Sequence, residues 1–258
     1  MAYKILILSP LHNMGSTIAT LIMAQIATYT NKTTCVTYTD PTSNLPQYIG
    51  VRNIKDPTRS IMQIVRLIDN GALADDDILD YAFQYAENAY LIGTSDLSLS
   101  RSDREQILQH IFDRAPTTLS LCDCSHDLED ELTQKLIEKT DAIFICVSMS
   151  MKSTERIKQW LDHPLLKNRR EVYVLVNRYN EVINAVRNYS KVIQYPTTKI
   201  CKLHYNPWIE KMCNRYELHT VVPKIRNLDP RVASLNNDLV EIMRAIDTGI
   251  MRTTTGGF

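Results

Sequence analysis

The 258 residues carry 29 Lys plus Arg against 29 Asp plus Glu, a formal net charge of zero, and 44% of them are hydrophobic. That balance excludes the overall electrostatic signature of a polyanion binder, and the length is enough for one α/β sheet with helices on both faces over a sizeable core. The opening MAYKILIL lacks the layout of a secretory signal and no apolar run approaches a membrane span, so a cytoplasmic protein is expected.

In chain order, Ile5-Leu6-Ile7-Leu8 is an aliphatic run short enough for a strand buried on both faces. Ser9 to Gly15 carries Pro and Gly punctuation, and Ser16-Thr17 then opens a helix reaching about Tyr29. Strand, tight loop and helix N-terminus together make a phosphate site: backbone N–H groups point inward and the helix dipole adds roughly half a positive charge. A P-loop also needs a Lys just before its Ser/Thr, and Ser16 stands there. Residues 33–39 (TTCVTYT) read as a second strand ending at Asp40-Pro41. Helical periodicity covers 60–70 up to Gly71, and a short helix is predicted over 75–85. Residues 89–93 form a strand, 102–114 a helix capped by Ser102 or Asp103, and 117–122 a strand ending at Asp123. A helix over 128–139, a buried strand over 142–148 and a helix over 153–161 follow, then a strand over 171–176 that stops at Asn177-Arg178. The remainder reads as a helix near 183–187, a strand over 199–203, a helix from Pro207 and a closing helix over 231–246. One domain over 1–250 with a mobile tail over 251–258 is expected.

In an open parallel sheet, ligands sit outside the carboxyl ends of the strands. Three polar strand ends converge there: Gly15-Ser16-Thr17, Asp40 and Asp123. With these residues the chain resembles the ParA/MinD family of deviant P-loop ATPases. The family loop K-G-G-x-G-K-T lies over Leu11-His12-Asn13-Met14-Gly15-Ser16-Thr17, keeping the last Gly and the Thr. Its second strand ends D-P-Q-G-N, against Asp40-Pro41-Thr42-Ser43-Asn44, and its Walker B strand ends I-D-C-P-P, against Cys122-Asp123-Cys124-Ser125. Its N-R element is similar to Asn177-Arg178, and its last strand I-P-Y-N-P to Leu203-His204-Tyr205-Asn206-Pro207. The resemblance implies a mostly parallel, doubly wound sheet flanked by helices, and ATP or ADP with Mg²⁺. Nucleotide contacts are implied at His12, Asn13, Met14, Gly15, Ser16, Thr17, Asn177, Arg178, Tyr205 and Asn206. Metal contacts are implied at Thr17, Asp40 and Asp123, with Asp40 also the catalytic candidate. A homodimer or higher homo-oligomer and a protein partner from a localisation or assembly system are implied too. The last-strand pattern and residues 209–218 most resemble the CpaE/TadZ branch, which localises pilus-assembly machinery.

The departures bear on activity. Both family lysines are absent, replaced by Leu11 and Ser16, and two loop glycines are His12 and Asn13. Asp40 and Asp123 would repel an unscreened polyphosphate, so weak or lost hydrolysis is expected. The expectation is a pseudo-ATPase or weak nucleotide switch that positions a cell-envelope machine or DNA. A filament-forming interaction module without nucleotide and a partition ATPase with residual activity are the alternatives. Cys122 and Cys124 read as core packing, the six cysteines as small hydrophobes, and His126 as a surface residue. Lys152, Arg156, Lys158, Lys167, Arg169 and Arg170 read as a solvated helix face, so any DNA binding is weak and non-specific. The C-terminus lacks a basic amphipathic helix, and no direct membrane anchor is expected.

Overall fold

The computed structural model describes residues 2–51, 64, 66–68, 70–71, 74–93, 100–124, 127–182, 185–227 and 229–254. Eight strands make one sheet: β1 (Tyr3–Leu8), β2 (Thr34–Tyr38), β3 (Phe83–Ala86), β4 (Ala89–Leu91), β5 (Leu119–Cys124), β6 (Ala142–Val147), β7 (Val172–Tyr179) and β8 (Ile200–His204). Their order is β3-β4-β2-β5-β1-β6-β7-β8, and every neighbouring pair is parallel except β3 with β4. The sheet is thus the mostly parallel, helix-flanked one expected.

β1 lies between β5 and β6, and its alternation sorts the core into two layers. Ile5 and Ile7 pack with helix α1 (Ser16–Tyr29) and the closing helix Asn236–Thr254, whereas Leu6 and Leu8 pack with Phe112, Leu132 and Leu136 on the other face. All four are fully buried, and each contributes about 1.5–3 kcal/mol of apolar burial. That two-sided burial explains why the run is continuously aliphatic and not alternating. All six cysteines are buried free thiols, as a core role requires.

Several boundaries differ from expectation for local reasons. The helix predicted over 75–85 is a 3-10 helix, Asp75–Tyr81, followed by β3. Asn88, at φ 58, closes a two-residue turn into β4, and such turns demand left-handed residues that a periodicity count does not register. β7 does not stop at Asn177-Arg178. It continues to Tyr179 across a register shift, with Arg178 at φ 52. Ser100, not Ser102 or Asp103, caps the helix Arg101–Arg114 by accepting from Asp103 N. The helix near 183–187 is Val186–Ile193, and the closing helix starts at Asn236 and runs to Thr254, so part of the expected tail is helical. Residues 255–258, His126 and Ser125, and most of the helix predicted over 60–70 lie outside the described residues.

Candidate functional site

The loop between β1 and α1 is set by two left-handed residues, Asn13 at φ 61 and Gly15 at φ 83. Asparagine tolerates that region; the next position needs glycine for a second reason. A Cβ on Gly15 would lie 1.8 Å from Asn177 Nδ2, whose amide donates to Met14 O at 2.8 Å. Asn177 is itself buried and its Oδ1 accepts from Arg178 N at 2.9 Å, so β7 braces the loop from below. Gly15 is also the N-cap of α1, and no side chain caps that end. The first N–H groups of a fourteen-residue helix therefore face the loop without an intrahelical partner.

β5 supplies the facing acid through its alternation. Leu119, Leu121 and Asp123 point to the α1 layer, while Cys122 and Cys124 point to the opposite core, where Cys124 Sγ lies 3.4 Å from Thr133 Oγ1. Thr17 Oγ1 donates to Asp123 Oδ2 at 2.6 Å. Asp123 is 5% exposed, and its Oδ1 is buried with no hydrogen-bond partner. Burial pushes its carboxyl up to about 6, with the Thr17 and Ser16 hydroxyls opposing and the Asp40 charge adding to the rise. Asp40, just beyond β2, accepts from Thr42 N at 2.8 Å and Thr42 Oγ1 at 2.7 Å, an Asx-type turn that fixes its carboxylate.

These groups surround a cleft of about 490 Å³ at the carboxyl ends of β1, β2 and β5. His12, Asn13, Ser16, Thr17, Asp40 and Asp123, six of the residues singled out in the sequence, line it. Met14 and Gly15 form the loop's back against Asn177. The remaining expected residues lie outside that lining. Arg178 pairs with Glu210 at 3.1 Å, and Tyr205 Oη donates to Glu210 at 3.4 Å. Asn206 is buried as an N-cap, accepting from Trp208 N and donating to Arg231 O. Tyr38, Thr42, Asp127 and Trp160 line the cleft without having been expected there. Asp127 follows the Walker-B-like strand by three residues, a spacing that was available to be read, whereas Trp160 carries no local signal. None of the lining residues is Lys or Arg. Among the described residues no three His, Cys, Asp or Glu side chains gather to hold a metal unaided.

No known family pattern matches the chain, and no curated protein does. Solved structures match its fold over nearly the whole length. The MinC:MinD cell division protein complex of Aquifex aeolicus aligns at TM-score 0.70 and 15% identity, covering 95% of this chain and 96% of that one. A ParA family ATPase from Chlorobium tepidum TLS aligns at 0.68 and 13%, covering 95% and 99%. The septum site-determining protein MinD of Pyrococcus horikoshii OT3, complexed with Mg-ADP, aligns at 0.68 and 14%, covering 96% of each chain. The fold is that of the MinD/ParA P-loop ATPases. No helix among the described residues is long and apolar enough to cross a membrane.

Proposed function

We propose that this protein is a ParA/MinD-like positioning or assembly factor that binds ATP or ADP with Mg²⁺ weakly and hydrolyses it little or not at all. The observation that carries the reading is the buried, unpartnered Oδ1 of Asp123 beside Thr17, at the open N-terminus of α1. A buried polar atom without a partner costs about 1–3 kcal/mol, and a hydrated divalent cation held between Thr17, Asp123 and Asp40 would relieve it. Because only three protein oxygen groups are offered, that cation needs further oxygens from water or phosphate, as Mg²⁺ bound with a nucleotide has. The metal half of the cleft therefore fits. The loop's backbone N–H groups fit phosphate as well, and what is missing is a lysine in the loop.

When bound, the nucleotide would supply a charged γ-phosphate whose presence or absence can be read as a switch. This chain's residues do the rest. Gly15 and the first turn of α1 present N–H donors, Thr17 and Asp123 hold the metal's side, and Asn177 keeps the loop in shape through Met14. Arg178, Tyr205 and Asn206 border the base end. Without a loop lysine, charge developing on a transferred phosphoryl group lacks its main stabiliser, which is why hydrolysis is slow. The structural likenesses include a MinD cell division protein in complex with MinC and a septum site-determining MinD complexed with Mg-ADP, which supports a nucleotide and a protein partner for this chain. The family resemblance of the sequence motifs supports a homodimer or higher homo-oligomer, in the pilus-localising branch or a partition system. The zero net charge supports no more than weak, non-specific DNA contact.

The lysine-free, three-carboxylate lining favours a second reading, an interaction module whose cleft takes no nucleotide. Calorimetric titration with Mg-ADP and Mg-ATP separates the two. A dissociation constant in the micromolar range with turnover far below that of ordinary family members is expected. No heat at millimolar nucleotide hands the site to the second reading.

A further inference from the structure

The cleft has three carboxylates, Asp40, Asp123 and Asp127, and no lining Lys or Arg, so an anionic ligand meets an adverse field from its side chains. One cation is nevertheless tied to that lining. Arg156 Nη2 donates to Asp127 Oδ2 at 2.7 Å, and a second guanidinium nitrogen contacts Gln159 Oε1 at 3.2 Å. Arg156 belongs to the helix Met151–Leu161, whose first turn is fixed by Ser150 accepting from Ser153 N and whose inner side is anchored by Ser153 and Ile157. One turn further along lies Trp160, buried and lining the cleft. Residues four apart on a helix share a face, so Arg156 and the exposed Lys152 lie on the same stripe as Trp160. Helix register and the observed ion pair thus agree in placing Arg156 beside the cleft.

We infer that Arg156 is the phosphate-binding cation of this protein, supplied from the helix after β6 in place of the lysine missing from the loop. In the ligand-free state Asp127 holds the guanidinium at the rim. When a polyphosphate enters, Arg156 exchanges the carboxylate for the terminal phosphate, and a planar fork of donors suits that exchange better than a point charge would. The side chain is 40% exposed and Asp127 49%, so the pair that must be given up is a weak, solvated one. The competing groups are few: Gln159 is neutral, and Asp127 is the acid in contact with Arg156. The inference rests on the nucleotide reading above and names its missing cation.

The test is calorimetric binding of Mg-ATP and Mg-ADP to the full chain and to Arg156→Gln, Asp127→Asn and Lys158→Gln, with thermal melts to establish that each variant is folded. Arg156→Gln is expected to weaken Mg-ATP at least tenfold and Mg-ADP less. Asp127→Asn is expected to strengthen Mg-ATP severalfold, because it frees Arg156 and removes a repelling charge. Lys158→Gln, on another face of the helix, should change neither. If Arg156 served only to hold Asp127, Arg156→Gln made in the Asp127→Asn background would leave Mg-ATP affinity unchanged, whereas a phosphate-binding Arg156 still loses at least tenfold there; no change in that background overturns the inference. Parent and Arg156→Gln binding within twofold of each other also overturns it, leaving the nucleotide reading intact. A parent that binds no nucleotide overturns both.

Discussion

The ends of β1 and β5 and the ends of β7 and β8 both carry residues that a family motif would assign to one nucleotide site, yet the molecule uses them differently. At the first, Thr17 and Asp123 meet across 106 residues of sequence at 2.6 Å and leave a buried carboxylate oxygen without a hydrogen-bond partner. At the second, the polar groups are already occupied. Asn177 is bonded to the loop backbone, Asn206 caps a helix, and Arg178 and Tyr205 both turn to Glu210. The difference teaches that unsatisfied hydrogen-bonding capacity, more than motif membership, marks where a ligand is still wanted.

The hardest way to break this comparison is to remove the contact that joins its two halves. Gly15→Ala places a methyl 1.8 Å from Asn177 Nδ2 at a φ of 83, so both sterics and backbone conformation oppose it. A loss of about 3 kcal/mol or more of unfolding free energy is expected, from left-handed strain of about 1–3 kcal/mol plus the displaced Asn177 bond. In an Asn177→Ala background the same change should cost at least 1 kcal/mol less, since the clash is gone. Additive costs in a denaturant double-mutant cycle would show that Asn177 does not brace the loop.

Most of this architecture was legible in the sequence, and the reasons are physical. Strands buried on both faces, such as Ile5 to Leu8, are long enough aliphatic runs to be seen without context. Asp40 could be placed just past the end of β2 because acids are expelled from such runs, whereas Asp123 is the buried next-to-last residue of β5 and not, as the sequence suggested, the residue after it. The β3–β4 hairpin was not legible, since its signal lies in the φ of Asn88 and not in hydrophobic period. Nor was the brace from Asn177. A contact across 163 residues leaves no local pattern, and the N-R dipeptide reads equally well as a ligand or as a support.

The next effect concerns the acid at the better-formed half. Asp123 has its carboxyl raised to about 6 from 3.8, chiefly by burial, so the folded state holds the proton more tightly than the unfolded chain does. The stabilisation from that proton is complete below about pH 4 and is lost as pH rises through 6, because the folded protein must then ionise a buried group. At roughly 1.4 kcal/mol per pH unit the penalty reaches about 2–3 kcal/mol above pH 7. Asp123→Asn should therefore melt higher than the parent at pH 8 in the absence of Mg²⁺, and close to it at pH 4. A variant less stable than the parent throughout that range would mean that the ionised carboxylate is already satisfied, and the comparison would lose its basis.

Restoring the loop cation is a smaller perturbation with a clearer sign. Ser16→Lys puts an ammonium where the family has one, and a tenfold gain in ATP affinity, about 1.4 kcal/mol, is expected by calorimetry. Asn13 already adopts a left-handed φ, so Asn13→Gly together with His12→Gly should add to the gain by clearing side chains from the cleft and not by altering the backbone. If the folded triple variant binds no better than the parent, the loop has lost more than its lysine, and the interaction-module reading takes over.

The smallest effect belongs to the occupied half. Arg178 and Tyr205 are 62% and 52% exposed, the first by its side chain and the second overall, and both contact Glu210. An exposed ion pair of this kind contributes about 0.2–1 kcal/mol to stability. Groups so hydrated and already engaged also have little binding energy left to give, since each contact to a base must first displace water or Glu210. Arg178→Ala and Tyr205→Ala are therefore expected to lower Mg-ADP affinity by no more than about threefold, roughly 0.6 kcal/mol. The same two changes should leave the melting temperature within a degree or two. If, as proposed, they border the base end, whatever loss occurs should be equal for Mg-ADP and Mg-ATP, which differ only in a phosphate at the other half. A tenfold loss for either variant would show that binding reorganises the β7 and β8 ends around the base, and the division between an open half and a finished one would then describe only the ligand-free protein.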